Sequence, residues 1–114
     1  MSPKTRNRHA RRPKYAPIFA ALGDETRLAL VAKLNDGRPQ SIAHLTDGTR
    51  MTRQAITKHL RVLEDARIVR SVRTGRENLF ELDPAPIRQV RDYADTVSAH
   101  WDNALARLKE FVEG

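Results

Sequence analysis

Between Ser41 and Asp65 the chain reads S-I-A-H-L-T-D-G-T-R-M-T-R-Q-A-I-T-K-H-L-R-V-L-E-D. This is a short apolar helix, a polar turn, and a longer helix whose two faces have opposite requirements. On the longer helix Ile56, Leu60 and Leu63 recur at spacings of four and three, which makes one buried helical stripe. Gln54, Thr57, Lys58 and Arg61 fall on the other side, with no carboxylate before Glu64. Two cations and two hydrogen-bonding side chains there suit a helix laid against a polyanion whose base edges offer donors and acceptors. On a lone helix the same face would read as ordinary solvated surface, so the neighbouring elements decide.

Upstream, Tyr15 to Leu22 reads as a short helix with Ile18, Phe19 and Leu22 as core candidates, ended by Gly23. Asp24 has the position of an N-cap, and Glu25 sits where the helix dipole favours a carboxylate. The helix behind it is expected to turn Leu28, Val31, Ala32 and Leu34 inward and to stop at Asn35-Asp36-Gly37. Pro39 separates it from the short helix of Ser41–Thr46, with Ile42 and Leu45 facing in. Asp47-Gly48-Thr49-Arg50 is the turn, and Thr52 can cap the longer helix.

Downstream the period changes. Ile68 to Thr74 and Glu77 to Leu82 are two extended runs about Gly75-Arg76, the pattern of a hairpin. Asp83-Pro84 then opens a last helix, a capping residue followed by proline at the first helical position. Along it Ile87, Val90, Ala94, Val97, Trp101, Ala104, Leu108 and Phe111 are spaced alternately by three and four. That sustained 3.5-residue repeat belongs to a helix packed along a long partner helix. Thirty or so residues at ~1.5 Å each span about 45 Å, more than the rest of the chain can cover. The reading is therefore a homodimer interface; in the alternative, the first half packs on its own domain and the remainder frays. The order of elements is that of a winged helix-turn-helix, mainly α with a small β-hairpin, dimerising through the long C-terminal helix.

The net charge of +7 is unevenly placed. Residues 1–14 hold Lys4, Arg6, Arg8, Arg11, Arg12 and Lys14 and no acid, so removing these six leaves fifteen basic against fourteen acidic side chains. The segment reads as a disordered basic tail, able to add phosphate contacts or to serve as a solubilising extension. Residues 15–114 then form one folded domain. No apolar run approaches the ~20 residues of a membrane span, and there is no apolar signal segment, so a soluble cytoplasmic protein is expected. The absence of cysteine excludes disulfides and thiolate sites. No glycine-rich phosphate loop or nucleophile–base constellation appears, so neither an enzyme nor a cofactor is expected. The aromatic platforms of single-strand RNA readers are missing as well.

With these elements placed, the chain resembles the ArsR family of bacterial repressors over roughly Ala16 to Glu113. Three stretches carry the resemblance: F-A-A-L-G-D-E-T-R-L-A-L-V-A-K-L, T-R-Q-A-I-T-K-H-L-R-V-L-E-D-A-R-I-V and T-G-R-E-N-L-F-E-L-D. The family implies a homodimeric winged-helix repressor that reads an imperfect palindrome and releases it when an effector arrives. Two departures stand out. Many members carry a glycine at the end of the second helix where this chain has Arg67, which must tolerate a left-handed backbone or cap differently. The thiolate site of arsenic- and cadmium-sensing relatives falls on Ser41 and Ala43, and the Asp-x-His pair of zinc-sensing relatives on Asp92 and Ala94. His9, His44, His59 and His100 include no pair at helical chelate spacing, so no metal site is expected. His59 aligns with a habitual histidine of the family, in a helix-packing or phosphate-contacting role. The resemblance is to the cysteine-free branch, for which no common inducer follows.

The expected function is sequence-specific binding of double-stranded DNA as a homodimer, with the effector unknown. Thr52, Arg53 and Gln54 at the start of the recognition helix and Thr57, Lys58 and Arg61 along it would enter the major groove. Arg73 and Arg76 at the hairpin tip would reach backbone or a narrow minor groove. The rival is a winged-helix protein-interaction module without specific DNA binding, which would favour carboxylates or apolar residues on that outer face.

Overall fold

The computed structural model describes residues 15–114. Five helices and three strands follow in order: α1 (Tyr15–Leu22), α2 (Glu25–Lys33), β1 (Gln40–Ser41), α3 (Ile42–Thr46), α4 (Arg53–Asp65), β2 (Val69–Thr74), β3 (Glu77–Leu82) and α5 (Pro84–Glu113). The basic-tail reading of residues 1–14 lies outside the described residues.

Each of the last four helices starts on a cap that the sequence supplies. The side chains of Asp24, Ser41, Thr52 and Asp83 accept from the backbone N–H of Arg27, His44, Ala55 and Ala85. A cap of this kind stabilises a helix by ~1 kcal/mol, which matters most for a helix as short as α3. The core collects one stripe from each element. Ile56, Leu60 and Leu63 of α4 are wholly buried, and Leu45, Leu34, Ile68, Val69 and Phe80 close around them.

The inward face of α2 differs from the expected one. Leu30 and Leu34 are buried, whereas Leu28 is 52% exposed and Ala32 also faces outward. The nine residues of α2 carry two competing apolar stripes, and the Asp24 cap with Arg27 orients the one through Leu30 toward α4. On α1 the buried pair is Ile18 and Ala21; Phe19, expected inside, is 41% exposed and lies edge-on to Tyr93 of α5, 5.7 Å between ring centroids.

The wing is larger than a hairpin. β2 and β3 pair antiparallel from Val69↔Leu82 to Thr74↔Glu77, and β1 adds to the other edge of β3 through Gln40↔Phe80 and Ser41↔Leu79. The strand order is β1-β3-β2. Ile68, expected at the start of the first strand, instead precedes it and seals the end of α4.

That helix end answers the question raised by Arg67. Arg67 has φ +63°, with its N–H bonded to the Glu64 carbonyl and the Ile68 N–H to the Leu63 carbonyl, each 2.9 Å. This is a Schellman turn, and both Leu63 and Ile68 of its apolar clasp are fully buried. An L-residue in this conformation costs about 1 kcal/mol that glycine would not. Arg67→Gly should accordingly stabilise the fold by about 1 kcal/mol, read as a higher urea midpoint at unchanged slope; a fall would mean that the Arg67 side chain contributes more than its backbone costs.

The C-terminal helix is sorted in two. Ile87 and Val90, expected in the dimer seam, are half-buried and pack on the chain's own core. Beyond Val90 every residue is exposed except half-buried Ala104. Among the described residues, no helix is long and apolar enough to cross a membrane.

Candidate nucleic-acid interface

The outer face of α4 is presented by anchoring its other sides. Thr52 Oγ1 accepts from the Ala55 N–H at 3.1 Å, and Thr57 Oγ1 donates to the Arg53 carbonyl at 2.7 Å. Both threonines of the expected contact set are thus partly committed to the helix itself, retaining one hydroxyl hydrogen (Thr52) or lone pairs (Thr57) for an outside partner. Arg53, Gln54, Lys58 and Arg61 are exposed. With Thr57 they line one wall of an open groove of about 630 Å³, whose other wall is Ile42 and Ala43 of α3. The helix N-terminus adds unsatisfied N–H groups and its positive dipole end to that groove.

Arg73 and Arg76 stand exposed at the wing tip, on either side of Gly75 with φ +61°. Arg70, three residues before Arg73 on β2, is tied to its cross-strand neighbour Glu81 at 2.9 Å and is neutralised there. Arg53, Lys58, Arg61, Arg73 and Arg76 form no ion pair with any described residue. Five unpaired cations on two elements therefore face solvent, where each desolvated phosphate contact would otherwise compete with an internal carboxylate.

Three sets of contacts hold these elements in mutual register, and periodicity shows none of them. Lys33, the last residue of α2, donates from Nζ to the carbonyls of Leu45 and Asp47, at 3.0 and 3.3 Å, and so pins the turn between α3 and α4. Its position in a last helical turn reads as simple dipole capping. Arg27 donates from Nε to the Ala21 carbonyl at the end of α1, while its Nη1 lies 3.2 Å from His59 Nδ1. An imidazole nitrogen facing a guanidinium must accept, so His59 is a packing group joining α4 to α2. Asp24 Oδ2 stands 3.7 Å from the same nitrogen. The hydrogen bond from the Arg27 backbone N–H, followed by the charge of the nearby Arg27 guanidinium, holds the Asp24 carboxyl below its ordinary 3.8. The cap is therefore ionised at any pH above that value and its stabilisation is lost only in stronger acid. Finally, β1 and the Ser71–Glu64 hydrogen bond of 2.7 Å fasten the sheet to both helices of the helix-turn-helix.

Among the described residues no three His, Asp or Glu side chains converge as metal ligands. Ser41 is spent on capping α3, and Asp92 contacts Arg91 at 3.7 Å.

Comparison with known proteins places this arrangement. Residues 22–72 match a family described as helix-turn-helix domain, the span from the end of α1 into β2. The HTH-type transcriptional regulator Rv2034 of Mycobacterium tuberculosis is 31% identical over 95 residues, covering 83% of this chain and 85% of that one. An ArsR-like transcriptional regulator from Rhodococcus sp. RHA1 is 36% identical with a TM-score of 0.72, covering 85% of this chain and 91% of its own. The homodimeric winged helix-turn-helix DNA-binding domain Mb0332 from Mycobacterium bovis, at 18% identity, shares the fold with a TM-score of 0.60 over 74% of this chain and 77% of its own. A basic, solvent-facing second helix braced by a three-stranded wing is thus how this chain carries the shared fold, and the chain belongs to the ArsR-like family of helix-turn-helix transcriptional regulators.

Proposed function

We propose that the protein is a homodimeric repressor of a palindromic operator. The observation that carries the reading is the outer face of α4, where unpaired Arg53, Lys58 and Arg61 flank Gln54 on a helix free to enter the major groove. Arginine or lysine pairs with guanine and glutamine with adenine. Arg73 and Arg76 extend the contact to backbone or minor groove beside each half-site. A two-fold dimer sets two such helices ~34 Å apart and so demands half-sites about one turn apart. Homodimerisation is supported by the exposed apolar face of α5 and by the homodimeric state of Mb0332. Repression needs no additional surface, since a dimer seated across a promoter occludes it.

Titrating the protein with duplexes from the DNA upstream of its own coding sequence tests this. One palindromic site should bind far above random duplex, and each phosphate neutralised should steepen log K against log salt by ~0.9. Binding indifferent to both sequence and salt would end the repressor reading. Zinc, cadmium and arsenite should leave operator affinity unchanged, because the chain has no cysteine and Ser41, Ala43 and Ala94 stand where the resemblance puts ligands. Stoichiometric uptake of any of them at micromolar free metal, coupled to operator release, would show otherwise.

A further inference from the structure

The groove between α3 and α4 is not basic on both sides. Arg53, Lys58 and Arg61 stand exposed along one wall, whereas the other wall is half-buried Ile42 and exposed Ala43. Thr57 lines the same groove, half-buried, with its hydroxyl proton spent on the Arg53 carbonyl at 2.7 Å. It has no donor left for a base, and what it adds to the groove is chiefly its methyl group. Ile42, Ala43 and Thr57 thus form an aliphatic notch within a cationic groove of about 630 Å³.

In the protein alone this notch is the outer surface of α3, since Ile42 also packs on the core. Its place gives it a further consequence. A duplex held by the surrounding cations closes the groove and strips water from it, so the notch must then meet a base edge or the backbone. A polar group set against carbon there would lose its water and gain no partner, which is costly. The major-groove edges carry one methyl group, that of thymine at C5, among N–H donors and oxygen or nitrogen acceptors.

We propose that Thr57 and Ala43 read the C5-methyl of a thymine in each half-site, beside the base pair that Gln54 reads. Gln54 lies three residues before Thr57, one turn away on the same face of α4. The proposal rests on the operator reading above and deepens it, assigning Thr57 to apolar recognition where its residue type suggests a hydrogen bond.

The methyl group can be deleted from either side of the contact. Duplexes selected by the full-length protein from a random pool would be resynthesised with deoxyuridine for thymidine, one position per half-site at a time. This removes the C5-methyl and keeps the base pair. Burying one such group is worth about a factor of four, so the critical position should cost about fifteenfold when both half-sites are changed. Thr57→Ser removes the facing methyl and keeps the hydroxyl bonded to the Arg53 carbonyl. It should shrink the penalty to about twofold, the coupling expected of two groups in contact. Ala43→Ser should shrink it as well. Thr57→Val, which keeps a methyl and lacks the hydroxyl, should retain the penalty. Each ratio is taken between two duplexes on one protein, so the fraction of active protein cancels. Deoxyuridine tolerated at every thymine of a tightly bound duplex would overturn the proposal and leave the operator reading standing. A penalty unchanged in both Thr57→Ser and Ala43→Ser would overturn the assignment to these residues. Loss of the penalty in Thr57→Val would show the hydroxyl to be the reading group, again against the proposal. A pool that yields no preferred duplex would overturn the operator reading itself.

Discussion

Arg61→Ala should lower affinity for the operator by about ten- to a hundredfold while affinity for random duplex falls only a few-fold. A bidentate base contact supplies ~1–3 kcal/mol of discrimination, and 1.4 kcal/mol is a factor of ten. Arg61 is exposed and forms no ion pair with a described residue, so its removal leaves nothing buried unpaired. Folding stability should stay within about 0.5 kcal/mol, which separates a recognition defect from an unfolded one. Gln54→Ala should behave alike at a different base pair. Arg76→Ala offers the contrast, because a cation at a wing tip reads charge and not sequence. It should weaken all duplexes evenly and reduce the salt slope by about one. Equal losses on operator and random DNA for Arg61→Ala would place that residue on phosphate instead of a base.

Why α4 and the wing were legible while the surrounding frame was not is a matter of length. Thirteen residues with a strict stripe of Ile56, Leu60 and Leu63 admit one inward face. Six-residue strands about a glycine admit one hairpin, and the cap at Asp83 followed by Pro84 admits one helix start. By contrast α2 is short and apolar on two sides, so periodicity could not choose Leu30 over Leu28. The two residues of β1 are too few to show any alternation, although they weld the wing to α3. The Lys33 and Arg27 contacts join residues far apart in sequence through carbonyls and an imidazole, groups that carry no pattern. They also bear on the interface, since they set the angle between α3 and α4 without touching its outer face. The apolar stripe of α5 was legible, but its division into a part packed on the chain's own core and an exposed part depended on where α1 ends against α5. That is a tertiary fact.

The largest effect at a distance from the DNA-facing residues is expected of Leu108→Asp. Leu108 is 57% exposed in the single chain and is not among the residues packed on the core, so the protomer's own fold should survive the change. In a dimer the aspartate would be placed in an apolar seam with no cation prepared for it, and an unpaired buried charge costs several kcal/mol. The variant should therefore sediment as a monomer at micromolar concentration. Operator affinity should drop by at least about a hundredfold, since one half-site keeps only part of the phosphate and base contacts. Thermal unfolding offers a second check: the unmodified protein should melt higher as its concentration rises, and the variant should not. The single tryptophan supplies a third, because Trp101 lies in the same seam two helical turns away. Its emission should move to the red when the unmodified protein is diluted through dimer dissociation and should already be red in Leu108→Asp. If the variant instead unfolded at room temperature, Leu108 would belong to the protomer's own core. If it dimerised and bound its palindrome as the unmodified protein does, the exposed face of α5 would have to be covered by something other than a second copy.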